Sequence, residues 1–176
     1  GAPIFNWWYR KDRSGGQFVE QTTHTTDLAR YLFGEVKTVY AQPVHGRRED
    51  LPDDFDAEHA SMVQLGCANG AAGNLDSVCC WTQGTGVRLT VLGMNTRAEF
   101  DGWQHTTKLF REGEPEPLEI PGEDNIFALE DRAFVNAVKT GDTSGILATY
   151  EDGLRATEIG AAANESMETG EVVELR

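Results

Sequence analysis

The sequence has only three cysteines, and their spacing fits neither a disulfide framework nor a metal site. Cys67, Cys79 and Cys80 include one adjacent pair and form no C-x-x-C motif, which argues against both a disulfide framework and a zinc site. We expect all three to be small buried hydrophobic residues, as is common for free cysteines in a reduced, cytoplasmic setting.

Long apolar runs and basic residues are also scarce. No stretch approaches the roughly 18 apolar residues of a membrane span, and no charged and apolar leader precedes a cleavage site. The 29 acidic residues outnumber the 15 basic ones, giving a formal net charge of -14. Such a surface repels phosphate backbones and anionic lipids, so we expect neither a nucleic acid nor a membrane as partner.

Phosphate-binding loops are missing as well. Neither G-x-G-x-x-G nor G-x-x-x-x-G-K-[ST] follows a predicted strand, and Gly84 and Gly86 lie in a turn between two strands. We therefore identify no cofactor-binding residue in this chain. The 39% hydrophobic content and the length of 176 residues indicate a globular chain, predicted to be a single domain over residues 1–176.

The stretch "SGGQFVEQTTHTTDLARYLFGEV", residues 14–36, predicts the first long helix. Ser14 and Gln17 have the spacing of a capping box, and Gly34 ends a helix predicted over residues 16–33. Six apolar residues share one broad face and are predicted to enter the core: Phe18, Val19, Leu28, Ala29, Leu32 and Phe33. Four polar residues lie on the opposite face within about 60° of one another: Glu20, His24, Asp27 and Tyr31.

The remainder of the chain reads mostly as strands followed by two helices. "EVKTVYAQPV" predicts a strand that Pro43 stops or places at an edge, and Asn69-Gly70 predicts a hairpin turn. Three more strands precede the proline-rich break "EPEPLEIPGEDN"; helices from Ile126 to Gly141 and over about residues 149–169 follow, and "GEVVELR" is a last strand. This order predicts an α+β fold: an open, largely antiparallel mixed sheet of six or more strands, with helices packed on one face.

Glu20 and His24 stand four residues apart, so their side chains meet on a helix and could form an acid/base pair. A solvated helix face that happens to be polar is the alternative. Trp7 and Trp8, close to Lys11, could floor a polyol pocket, or could belong to an arm packed on the sheet.

The remaining histidines, His45, His59 and His105, have no acidic or cysteine partner at ligand spacing, so we expect them to be structural or exposed. We predict no metal site.

Four segments together resemble the C-terminal domain of the Gfo/Idh/MocA oxidoreductases. They are "WWYRKDRSGGQFVEQTTHTTDLARYLFGEV", "GCANGAAGNLDSV", "LTVLGMNTRAEF" and "YEDGLRATEIGAAANESMETGEVVEL". The family's helix motif, G-G-x-x-x-D-x-x-x-H-x-x-D, matches Gly15, Gly16, Glu20, His24 and Asp27. Glu20 stands where aspartate is typical, which keeps the carboxylate on a longer arm.

This resemblance implies the C-terminal half of a two-domain NAD(P)-dependent oxidoreductase acting on a sugar, polyol or related hydroxyl or carbonyl substrate. His24 would be the acid/base group on the substrate oxygen, and Glu20 would contact substrate or orient His24. Lys11, Trp7 and Trp8 would be substrate-binding. The partners implied are an N-terminal Rossmann domain of the same chain, which would hold NAD or NADP, and further copies bound through the open sheet face.

Two functions remain open from the sequence. The first is this catalytic half, predicted inactive when separated from its cofactor domain. The second is a non-catalytic dimerisation or scaffold module derived from such a domain. His24 beside Glu20 favours the first, since an assembly module has no need of an imidazole at that place.

Overall fold

The computed structural model describes residues 7–46, 51–79 and 86–176. These residues contain four helices and eight strands, named here in chain order. They are α1 Lys11–Ser14, α2 Gln17–Phe33, β1 Val36–Val44, β2 Ala60–Cys67, β3 Ala72–Val78, β4 Arg88–Leu92, β5 Thr96–Asp101, β6 Thr106–Arg111, β7 Leu118–Ile120, α3 Ile126–Thr140, α4 Tyr150–Thr169 and β8 Val173–Glu174. All the described strand pairings are antiparallel, which confirms the predicted α+β class.

The chain divides into two compact units, one formed by residues 1–84 together with 150–176, the other by residues 85–149. Each unit has a four-stranded sheet, with the strand order β3-β2-β1-β8 in the first and β4-β5-β6-β7 in the second. The predicted strands are therefore present, but they lie in two sheets among the described residues.

In the first unit, α2 and α4 cover one face of the sheet. Alternate residues of the strands, among them Val39, Val63 and Leu75, point into this layer and are buried. Phe18 from α2 and Ile159 from α4 meet them, and both are only 1% exposed. The opposite sheet face carries no helix of this unit among the described residues, so its outward side chains are open.

The predicted hairpin is confirmed at residues 68–71. Gly70 has φ 87°, a left-handed value that glycine adopts without strain, and the Asn69 side chain accepts a hydrogen bond from the Ala71 N–H at 3.0 Å. The register Val63 to Leu75 places both buried residues on the same face. The Asn69-Gly70 turn and the alternation of buried residues along the strands thus specify the same pairing of β2 with β3.

The start of α2 differs from the predicted capping box. Ser14 ends the short helix α1, and its hydroxyl accepts the Gly16 N–H at 3.0 Å, while Gln17 is fully buried and bonds to Gln21 and Ser77. The capping box was wrong because Gly15 and Gly16, both with positive φ, turn the chain between two helices. The end of α2 at Gly34 is confirmed.

Pro43 was predicted to stop its strand or to place it at a sheet edge. β1 does end one residue later, at Val44, but it is an inner strand: Pro43 faces Ser61 of β2, and β8 pairs with Thr38 and Val39 on the other side. In the second unit, the proline-rich break contains the three-residue strand β7, which pairs with β6. The bounds of α3 and α4 match their predictions within a residue or so.

Among the described cysteines, Cys79 is buried and Cys67 is half-buried; Cys80 lies outside the described residues. No helix in the described part of the chain is long and apolar enough to cross a membrane.

Candidate functional site on the outward stripe of α2

Helix α2 has two sharply different faces. Phe18, Thr22, Thr26 and Ala29 are buried toward the sheet and α4. Glu20, His24, Asp27 and Tyr31 point the other way, as the 100° step per residue predicts, and we call these four residues the outward stripe. Tyr31 is 78% exposed, so the stripe lies at the surface of the first unit.

Glu20 and His24 lie one helical turn apart near the start of this stripe. The Glu20 side chain is half-buried, whereas His24 is exposed. Partial burial disfavours the carboxylate and raises the pKa of Glu20 above its ordinary value. The Glu20 carboxyl therefore holds its proton more tightly than usual. The neighbouring His24 imidazole can be reached by solvent or by a ligand.

The lower half of the stripe is tied to a buried arginine. The Arg30 side chain is 7% exposed, and its guanidinium contacts Asp27 at 3.4 Å, Glu35 at 2.8 Å and the Asp152 carboxylate at 3.5 Å. Asp152 belongs to α4, so this network holds the two helices together. Asp27 thus forms an ion pair with Arg30 that has a structural role, and Glu20 is not part of this network.

The predicted substrate-binding residues lie just before α2. Trp7 is 40% exposed and Trp8 is half-buried, both in the turn that leads into α1. Lys11 opens α1, and its ammonium pairs with the Glu168 carboxylate of α4 at 2.8 Å, which lowers the pKa of Glu168. This ion pair directs the Lys11 side chain toward α4.

Two carboxylates that the sequence did not single out also contact this region. Asp56 accepts the Lys11 backbone N–H at 2.6 Å, and Glu58 accepts the Phe18 backbone N–H at 2.8 Å. Both come from the segment before β2, about 40 residues away from the helices that they contact. No local pattern in "LPDDFDAE" indicates such a role, since the partners meet only in the folded chain.

The three histidines outside α2 are buried or exposed, as the sequence predicted. His59 is buried and its Nδ1 accepts the Gly46 N–H at 3.2 Å, while His45 and His105 are exposed. Residues 7–46, 51–79 and 86–176 contain no group of three histidine, cysteine or acidic side chains that could hold a metal ion. A cleft lined by Tyr40, Gln64 and Asn74 lies on the open sheet face, opposite α2.

Comparison with known proteins agrees with this architecture. The chain is 28% identical to a myo-inositol 2-dehydrogenase of Thermotoga maritima, over 92% of this chain and 50% of the relative. It is also 28% identical to a scyllo-inositol 2-dehydrogenase (NAD(+)) of Bacillus subtilis, over 99% of this chain and 55% of the relative. The chain thus spans about half the length of these curated relatives.

Solved structures show the same fold. An aldose-aldose oxidoreductase from Caulobacter crescentus, complexed with glycerol, superposes with a TM-score of 0.80 at 23% identity, covering 99% of this chain and 52% of the other. The family model described as "Oxidoreductase family, C-terminal alpha/beta domain" matches residues 2–175. This chain therefore belongs to the Gfo/Idh/MocA oxidoreductase family and forms its C-terminal α/β domain.

Proposed function

We propose that this chain is the substrate-binding and catalytic half of an NAD(P)-dependent oxidoreductase that acts on a hydroxyl or carbonyl group of a sugar or polyol. The observation that carries the proposal is the Glu20–His24 pair, held on a well-packed helix with His24 exposed. The inositol dehydrogenases among the relatives support the class of substrate.

His24 is the acid/base group in this proposal. Imidazole is the side chain whose charge ordinarily changes between about pH 5 and 8, so it can take a proton from a substrate hydroxyl and return one to a carbonyl oxygen. Glu20, one turn earlier, is close enough to orient the ring or to contact the substrate. Its raised pKa supports a role in proton handling.

Trp7 and Trp8 offer aromatic surface on which the apolar face of a sugar ring can stack. Lys11 lies beside them in sequence and supplies an ammonium donor. In the present arrangement that ammonium is bonded to Glu168, so substrate binding by Lys11 requires exchange of this partner. Because Glu168 is exposed, water can replace the lysine at low cost.

The described residues form no binding site of the usual kind for the nicotinamide cofactor. All described strands pair antiparallel, and no glycine-rich loop joins a strand to a helix, so a dinucleotide cradle of the usual kind is not formed by the described residues. We assign the cofactor to an N-terminal Rossmann domain, which the greater length of the relatives supports. Calorimetry with the 176-residue chain is expected to detect no NAD or NADP binding; a micromolar affinity would contradict this assignment.

The free thiol of Cys67 supports a reducing compartment such as the cytoplasm. The open sheet face supports assembly with a second copy, because it carries exposed apolar side chains that include Val44, Met62 and Val78. That same face is the observation that favours the alternative, a dimerisation or scaffold module without catalysis.

Replacing His24 in the full-length protein distinguishes the two functions. We expect His24→Ala to lower kcat/KM for the preferred polyol by on the order of 100-fold, as loss of an acid/base group does. His45→Ala, which removes another exposed imidazole outside α2, is the matched control and should retain activity. Turnover within about threefold of wild type for His24→Ala would refute the catalytic role and leave the scaffold alternative.

A further inference from the structure

Glu58 is a buried carboxylate at the start of the helix that bears the outward stripe. It is 3% exposed, and its Oε1 accepts the Phe18 backbone N–H at 2.8 Å. Phe18 is the second residue of α2, and the N-cap residue is Gly16, which has no side chain to satisfy the first amides of the helix. Glu58 supplies the missing cap from a distant segment, and its negative charge faces the positive end of the helix dipole.

The glycine pair of the family motif makes room for this cap. Gly15 and Gly16 have φ values of 83° and 99°, which residues with a β-carbon rarely adopt. A β-carbon on Gly16 would lie 3.3 Å from Glu58 Oε2 and 3.3 Å from Asn164 Oδ1. Asn164 of α4 also donates to the Gly15 carbonyl at 2.5 Å. The turn is thus held between a carboxylate on one side and an amide on the other.

The segment that carries Glu58 also holds the start of α1. The Lys11 N–H donates to Asp56 at 2.6 Å, and the Ala57 N–H donates to the Tyr9 carbonyl at 3.3 Å. Two carboxylates, two residues apart, therefore cap the helices that begin with Lys11 and Gln17. A displacement of this short segment would move both helix starts together.

We propose that Glu58 is a positioning residue for the Glu20–His24 pair, which rests on the function proposed above. Glu20 is the residue whose backbone N–H closes the first turn of α2, by donating to the Gly16 carbonyl at 3.2 Å. Without the Glu58 cap, the first turn loses its anchor and frays, and Glu20 lies in the turn that frays. Glu58 itself does not contact substrate.

The test uses the full-length enzyme with Glu58→Ala, Glu58→Gln and, as a matched control, Asp53→Ala, which removes an exposed carboxylate from the same segment. Glu58→Ala should lower kcat/KM about tenfold, less than loss of an acid/base group itself. The glutamine variant keeps an oxygen that can accept the Phe18 N–H, so it should recover activity to within about threefold of wild type. Asp53→Ala should behave as wild type.

A double-mutant cycle separates positioning from general stability. If Glu58 acts through Glu20, adding Glu58→Ala to a Glu20→Ala enzyme should lower kcat/KM by less than about twofold further. A purely structural residue would instead lower Tm and leave the kcat/KM of the folded enzyme unchanged, which would overturn the proposal. Full additivity of the two losses would overturn it as well.

Amide hydrogen exchange provides a readout that does not depend on activity. In the 176-residue chain or the full-length protein, Glu58→Gln should leave the Phe18 and Glu20 amides protected, and Glu58→Ala should expose them to faster exchange. Unchanged exchange in a folded Glu58→Ala protein would refute the cap. Full activity of His24→Ala would refute the proposed function. Full activity of Glu58→Ala combined with an inactive His24→Ala would refute the positioning role alone.

Discussion

At the scale of single residues, the partial burial of Glu20 disfavours the charged form of its carboxyl. Partial burial raises its pKa above the ordinary 4.5, which means that the folded protein binds this proton more tightly than the unfolded chain. The resulting stabilisation is complete below the unfolded pKa and is lost as the pH rises through the raised, folded value. At neutral pH the charged carboxylate therefore opposes folding slightly.

Glu20→Gln should remove this pH dependence, because the amide carries no titrating proton. We expect the variant to gain stability relative to wild type as the pH rises from about 4 to neutrality, with the gain present only on the alkaline side of the carboxyl titration. Urea unfolding at a series of pH values measures the difference in free energy of unfolding. A loss of stability at neutral pH would mean that Glu20 makes a favourable charged contact, contrary to its burial.

At the scale of elements, the position of the outward stripe depends on how closely α2 approaches α4. Gly160 of α4 is buried, and a β-carbon there would lie 3.0 Å from Val19 Cγ2 of α2, closer than side chains normally pack. Val19 has a stiff, branched side chain that cannot easily move away. The glycine therefore sets the distance between the two helices that cover the first sheet.

Two glycine-to-alanine variants of α4 should have opposite effects. Gly160→Ala should lower the free energy of unfolding by on the order of 1 kcal/mol, because overpacking against Val19 exceeds the gain in helix propensity. Gly153→Ala has no atom within 4 Å of the new β-carbon and should raise it by about 0.5–1 kcal/mol. Denaturant unfolding of both variants checks the contrast, and stabilisation of both would show that the helices can separate freely.

At the scale of the whole molecule, the first sheet has one face covered by helices and one face that carries both polar and apolar side chains. Met62 lies near the middle of this open face, between Gln42 of β1 and Asp76 of β3, and is 52% exposed. Exposed apolar side chains in a sheet face are typical of contact with a partner. The chain's net charge of -14 opposes self-association, so any assembly must rely on such contacts.

We expect the 176-residue chain to self-associate and Met62→Lys to weaken that association. Each lysine introduced lowers the net negative charge, so a weaker assembly cannot be attributed to greater overall repulsion. Met94→Lys is the matched control, since Met94 is 99% exposed in the turn between β4 and β5. Light scattering measures the mass of each variant. A monomeric wild-type chain, or equal dissociation of both variants, would argue against the open face as the contact.

The sequence by itself determined the features that depend on neighbours along the chain. The period of α2 placed Glu20 and His24 on the face opposite Phe18, Asn69-Gly70 specified the hairpin, and Gly34 and Gly141 ended their helices. Each of these follows from side-chain spacing or backbone conformation within a few residues. Four segments together, the α2 motif among them, carried the family resemblance, which the match over residues 2–175 confirmed.

Only the tertiary structure decided how distant segments meet. It divided the strands into two sheets, replaced the expected Ser14–Gln17 capping box with the Glu58 carboxylate, and paired Lys11 with Glu168, 157 residues later. Such contacts arise when hydrophobic packing of α2 and α4 brings segments together, and a polar group then bonds to whichever partner lies within reach. Local sequence does not encode that proximity, because it is a property of the folded chain.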